Sequence, residues 1–140
     1  MKKLTRKKNI PSFILLDDDV FALAFAKEII RSYNRRARII SFSAAKDAME
    51  YMGAEDFMRN CMDTVFLTDL HMPEIDGFGL LDQMEGRFNA IRERLHVFVL
   101  SAAACPEEIL RVSSYSCVIG FLNKPFSRDK LEQIIQCILF

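Results

Sequence analysis

Short apolar runs alternate with stretches of helical periodicity along this whole chain, and that alternation restricts it to few folds. Ser12 to Leu16 reads as a first strand, Arg38 to Phe42 as a second, the residues leading into Asp69 as a third, Leu95 to Leu100 as a fourth and Val118 to Leu122 as a fifth. Runs with so few polar breaks suit strands covered on both faces, as in a parallel sheet. Between Val20 and Tyr33, Phe21, Phe25 and Ile29 form one helical stripe, and Leu23, Ala26, Ile30 and Tyr33 a second. Asp19 is placed to cap that helix. Ser43 is read as the cap of a helix carrying Ala44, Ala45, Ala48, Met49 and Met52, closed by Gly53 and followed by irregular chain to Asp63. Phe78, Leu80, Leu81 and Met84 support a third helix, and Pro106, Glu107 and Glu108 open a fourth. Ser127 caps a fifth, with Leu131, Ile134, Ile135 and Ile138 on one face. Five strands alternating with five helices predict one doubly wound α/β domain over residues 12–140: a five-stranded parallel sheet, helices on both faces and right-handed crossovers. Residues 1–11 read as a leader. In this reading the fifth helix ends the chain and leaves no room for an output domain.

Lys and Arg number 19, as do Asp and Glu. Without a global basic field, nucleic acid is not an expected partner. Positive charge does crowd the start, at Lys2, Lys3, Arg6, Lys7 and Lys8; it can be read as a weak tag for an anionic surface, but the preferred reading is a solvated leader. No segment has the length of a membrane span, and the run Phe13 to Leu16 is too short for a signal-peptide core. The cytoplasm is therefore the expected location, with no membrane partner. Cys61, Cys105, Cys117 and Cys137 have neither metal-site nor disulfide-framework spacing, which predicts free and mostly buried thiols.

The chemistry gathers where the strands end. Strand one ends at Asp17 and Asp18, strand three at Asp69, strand four at Ser101 and strand five beside Lys124. In a parallel sheet these ends share one edge, where open α/β sheets place their sites. Singly, each residue has an ordinary role: the acids as caps or turn formers, Ser101 as a turn hydroxyl, Lys124 as a solvated lysine. Together they form a chemical set. Crowded carboxylates need a cation, and hard oxygen ligands without His or Cys suit Mg²⁺ or Mn²⁺. A carboxylate beside such a metal can act as a nucleophile towards phosphorus, with an ammonium and a hydroxyl holding the phosphoryl oxygens.

The stretches Phe13-Ile-Leu-Leu-Asp-Asp-Asp, Phe66-Leu-Thr-Asp-Leu-His-Met-Pro-Glu-Ile-Asp-Gly, Val99-Leu-Ser-Ala and Gly120-Phe-Leu-Asn-Lys-Pro-Phe resemble, in that order, the motifs of bacterial response-regulator receiver domains. The resemblance covers nearly the whole chain from Ser12. It implies a flavodoxin-like receiver fold with strand order 2-1-3-4-5. It also implies a stand-alone phosphorelay regulator whose Asp69 accepts a phosphoryl group from a histidine kinase. Asp18 is then a direct Mg²⁺ ligand and Asp17 an acid acting mainly through water. Asp69 and the backbone carbonyl of His71 complete the metal set. Ser101, Ala102 and Lys124 are the implied phosphate-binding residues, Ser101 and Phe121 the switch pair, and Lys124-Pro125 a cis bond. The implied partners are a sensor histidine kinase or histidine phosphotransfer protein and a downstream target protein. Phe121 lacks the hydroxyl of the tyrosine often found at its place, and His71 is large for its position two residues after the acceptor. An aspartyl-nucleophile phosphohydrolase, a flavodoxin-like cofactor binder and a receiver-like adaptor that takes no phosphate are competing readings. The first lacks a cap domain, the second would set phosphate against aspartates, and the third is opposed by the intact set of Asp18, Asp69, Ser101 and Lys124.

Overall fold

The computed structural model describes residues 10–72, 76–102 and 105–139. The basic residues of the leader, Pro73 in the loop after Asp69, and Ala103 and Ala104 lie outside them. The five strands are β1 (Ser12–Leu16), β2 (Ile39–Phe42), β3 (Thr64–Asp69), β4 (Leu95–Ser101) and β5 (Val118–Asn123). They pair in parallel in the order β2-β1-β3-β4-β5. Among the described residues there are six α-helices: α1 (Val20–Tyr33), α2 (Ala45–Gly53), α3 (Glu55–Asn60), α4 (Gly77–Met84), α5 (Pro106–Ser113) and α6 (Arg128–Leu139). A 3₁₀ turn at Asn89–Ile91 precedes β4.

Successive strand residues point to opposite faces of the sheet, so each continuous apolar run feeds two cores. Phe13, Leu15, Val65, Leu67, Phe98 and Leu100 face α1 and α6. Ile14, Leu16, Phe66, Val97 and Val99 face the layer formed by α2, α4 and α5. Burial on both faces is why these strands show no polar alternation.

Local signals hold at most helix ends. Asp19 caps α1, accepting from Phe21 N–H at 2.9 Å and Ala22 N–H at 3.4 Å. The Ser127 hydroxyl accepts from Lys130 N–H at 3.2 Å at the start of α6. Ser43, in contrast, caps nothing: Ala44 occupies the N-cap of α2 without a side-chain bond. The stretch expected to be irregular before Asp63 contains α3, whose Glu55 and Asp56 lie in its first turn and pair with Arg59 and Asn60 one turn on. Of the two stripes on α1, Leu23, Ala26 and Ile30 are buried, whereas Phe21 and Phe25 are 82% and 54% exposed. The cysteines are free, but only Cys61 is buried; Cys117 is half-buried, and Cys105 and Cys137 are exposed. No helix among the described residues is long and apolar enough to cross a membrane.

Candidate functional site

Parallel register brings the strand ends together. Leu16 is opposite Thr68, Asp69 opposite Leu100, and Ser101 opposite Asn123. Asp17 follows β1 directly, Asp69 closes β3 and Ser101 closes β4; all three are buried, while Asp18 is exposed. One carboxylate oxygen from each of Asp17, Asp18 and Asp69 lies within 4.8 Å of the others. Such a set of hard oxygen donors fits a divalent cation of the Mg²⁺ type.

Lys124 reaches this cluster from the end of β5. Its backbone N–H donates to the Ser101 carbonyl at 2.9 Å, and the Lys124-Pro125 bond is cis, as expected. Its ammonium donates to Asp17 Oδ2 at 2.7 Å and lies 3.4 Å from Asp69 Oδ2. Burial alone would lower the Lys124 ammonium. The hydrogen bond to Asp17 and the charges of Asp69 and Asp17 outweigh it and hold the group above the usual lysine range. Asp17 is engaged at both oxygens, since Oδ1 accepts from Asp19 N–H at 2.9 Å.

The two oxygens of Asp69 are held differently. Oδ1 accepts from Leu70 N–H at 2.7 Å and His71 N–H at 3.4 Å. Oδ2 faces Lys124. Burial, then the charge of Asp17, push the Asp69 carboxyl above the usual carboxylate range, against the pull of Lys124 and the two amides. One ammonium does not balance three carboxylates, so the site retains an excess of negative charge that a cation would relieve.

Ser101 is fully buried, and its hydroxyl has no hydrogen-bond partner among the described residues. A buried hydroxyl left unpaired costs on the order of 1–3 kcal/mol, which marks this one out. Ala102 follows it directly as a bend. Phe121, opposite Val99, is half-buried against the core under α5. His71 keeps more than half of its side chain exposed, with Nε2 at 3.4 Å from Glu108 Oε2 on α5.

Two features of the site go beyond the sequence expectations. An open cleft of about 480 Å³ lies between α1 and the Lys124–Phe126 turn, with Asp17, Asp69 and Lys124 at its polar end and Phe21 and Phe25 on its wall. The duplicate stripe on α1 is the sequence signal for it, because one helix face cannot bury both. Asp76 caps α4, accepting from Gly79 N–H at 2.9 Å, and so helps fix the far end of the loop that follows Asp69.

A family model described as the response regulator receiver domain matches residues 13–136. Response regulator Rre1 of Synechocystis sp. is 26% identical over 128 residues, which is 91% of this chain and 51% of that protein. The chain thus spans about half the length of that relative. The probable methanogenesis regulatory protein FilR2 of Methanothrix harundinacea is 28% identical over 129 residues, 90% of this chain and 80% of that protein. A two-component response regulator from Cytophaga hutchinsonii superposes with a TM-score of 0.83 at 23% identity, covering 94% of this chain and 98% of that one.

Proposed function

The chain belongs to the response regulator receiver domain family, and from that premise we propose that Asp69 accepts a phosphoryl group from the phosphohistidine of a sensor histidine kinase or histidine phosphotransfer protein. The observation that carries this reading is the pairing of a buried, unpartnered Ser101 hydroxyl with a carboxylate whose Oδ1 is fixed by backbone amides while its Oδ2 faces only the Lys124 ammonium among the described residues. Receiver domains bind Mg²⁺ at an acidic pocket. Here Asp18, Asp69 and the His71 carbonyl would hold the ion, with Asp17 beside them. When bound, the ion supplies positive charge that lets an anionic phosphoryl group approach carboxylates.

The protein's own groups do the rest. Leu70 and His71 amides fix Asp69 Oδ1 and leave Oδ2 as the attacking oxygen. Oδ2 forms the new O–P bond as the donor's N–P bond breaks, and the electron pair leaves with the donor imidazole. The Lys124 ammonium, already shared between Asp17 and Asp69, donates to a phosphoryl oxygen. The Ser101 hydroxyl and the Ala102 amide supply further donors, and the Ser101 hydroxyl thereby gains the partner it lacks. A protein donor that reaches Asp69 through the open cleft covers the exposed rings of Phe21 and Phe25.

Output follows from Ser101. Its movement toward the phosphoryl group vacates space beside β5 that Phe121 fills, changing the surface of α5, β5 and α6. A downstream partner then distinguishes the two states. The domain works in the cytoplasm and turns over no substrate beyond its own phosphoryl group. The test is intact-mass measurement after incubation with Mg²⁺ and a small phosphodonor. Wild type should gain one phosphoryl group and Asp69→Asn none; equal labelling of the two proteins would reject the assignment.

A further inference from the structure

The charge of this chain is divided along its length. Ten of the 19 Lys and Arg residues, but only four of the 19 Asp and Glu, fall within residues 1–38, which therefore carry +6 while the remaining 102 residues carry −6. Three of those four acids, Asp17, Asp18 and Asp19, stand at the carboxyl edge of the sheet beside Asp69. The basic side chains gather at the opposite edge. Arg31 lies in the last turn of α1, Arg35 and Arg36 follow that helix, and Arg38 precedes β2; all four are exposed. Lys27 shares a shallow depression with Arg31 and Arg35. The Arg38 carbonyl accepts from Phe13 N–H at 2.8 Å, which puts it beside the start of β1. Ile10 packs with Ile29, Tyr33 and Ile39 against the same core cluster. None of Lys27, Arg31, Arg35, Arg36 and Arg38 forms an ion pair among the described residues. Acids stand at this edge as well: Glu28 on α1, Glu55 and Asp56 at the start of α3, Asp63 before β3, Glu85 after α4 and Glu93 before β4, of which Glu55 pairs with Arg59 and Asp63 with His96 at 3.1 Å.

We propose that this basic pole binds the surface of an anionic phospholipid bilayer. Four exposed arginines brought to one pole by the fold form a patch and revise the expectation of no membrane partner. Two lengths decide that the neutral total does not cancel the attraction. A strand of five residues spans about 17 Å, whereas the Debye length is about 8 Å at physiological ionic strength. Lipid headgroups at the basic pole therefore attract the arginines while the carboxyl edge lies beyond their reach. Clusters of about four to eight Lys and Arg attract anionic leaflets; the attraction here is electrostatic, with no membrane-spanning helix beside it among the described residues. Duplex nucleic acid suits the pole less. The domain is neutral overall, with a sequence pI of about 6.7, unlike basic nucleic-acid-binding domains. Among the described residues no hairpin or free helix projects from this pole to enter a groove. Binding is reversible and salt-sensitive, and it holds the protein with Asp69 facing away from the lipid.

The proposal is independent of the chemistry at Asp69. It is tested by co-sedimentation of the full chain with phosphatidylcholine vesicles, with and without phosphatidylglycerol, at low and high salt. The comparison protein is the triple variant Arg35→Gln, Arg36→Gln, Arg38→Gln, whose fold is checked by its thermal transition and by unchanged phosphorylation. Association is expected only with phosphatidylglycerol, lost at high salt, and weakened on the order of fivefold for each charge removed. Equal association with neutral vesicles, an undiminished variant, or tighter binding to a duplex oligonucleotide at the same salt would each overturn it.

Discussion

Asp69 carries its negative charge at a disadvantage. It is buried, it lies beside Asp17, and both effects favour its neutral form over the charged one. A carboxyl whose folded pKa is raised above its unfolded value contributes stability below the unfolded pKa, and loses that contribution as pH rises through the folded value. At neutral pH the charge therefore works against the fold. Asp69→Asn should raise the thermal midpoint of the metal-free protein at pH 7, by roughly 4 °C for each kcal/mol relieved. The gain should shrink toward zero below about pH 4, where the unfolded carboxyl is also protonated. Melting curves across that pH range measure it, and a gain that grows on acidification would reverse the sign of the assignment. The residues of this cluster are legible in the sequence because each follows an apolar run. Their pairing is not legible. That Lys124 approaches Asp17 more closely than Asp69, and that Asp17 is occupied at both oxygens, depends on side-chain geometry across 107 residues of chain.

At the scale of elements, the loop between β3 and α4 is held by a close backbone approach. The Gly77 N–H donates to the Leu70 carbonyl at 2.7 Å, and a Cβ on Gly77 would stand 2.6 Å from Leu70 Cα and 2.8 Å from its oxygen. Backbone atoms cannot rotate aside, so Gly77→Ala should cost about 1–3 kcal/mol, the range of an overpacked site. Gly53→Ala is the contrast, since its Cβ would meet only the guanidinium end of Arg87. Urea midpoints should separate the two variants, and matched midpoints would remove the role given to Gly77. A second element-scale expectation concerns β5. Phe121→Ala should still be phosphorylated, yet lose most of the difference in affinity for an output partner measured with and without beryllofluoride. A difference as large as in wild type would move the switch elsewhere. Strands and long helices are legible here because burial on both sheet faces writes unbroken apolar runs. α3 escapes the same reading: it has six residues and none is fully buried, so no apolar stripe marks it. Ser43 is a residue type that caps helices, but the backbone places Ala44 at the cap instead.

Across the whole molecule, the sheet puts acids and the open cleft at one edge and basic residues at the other, with two separate cores between. The two-faced core and the edge that carries the chemistry are implied by the alternation of the sequence, whereas the strand order is implied only by the resemblance to receiver domains. The exposed face of α1 and the basic pole are implied by neither, because they depend on which of several amphipathic choices the packed sheet leaves outside. Asp17, Asp18 and Asp69 lie within one cation's reach of each other, and one of the three is the nucleophile. Hydroxylamine converts an acyl phosphate to a hydroxamate at the carboxyl that bore it. Peptide mass spectrometry of the phosphorylated, hydroxylamine-treated protein should find the hydroxamate on the peptide containing Asp69 and leave Asp17 and Asp18 unmodified. A hydroxamate on either of those residues, or a phosphoryl group that resists hydroxylamine, would contradict the account.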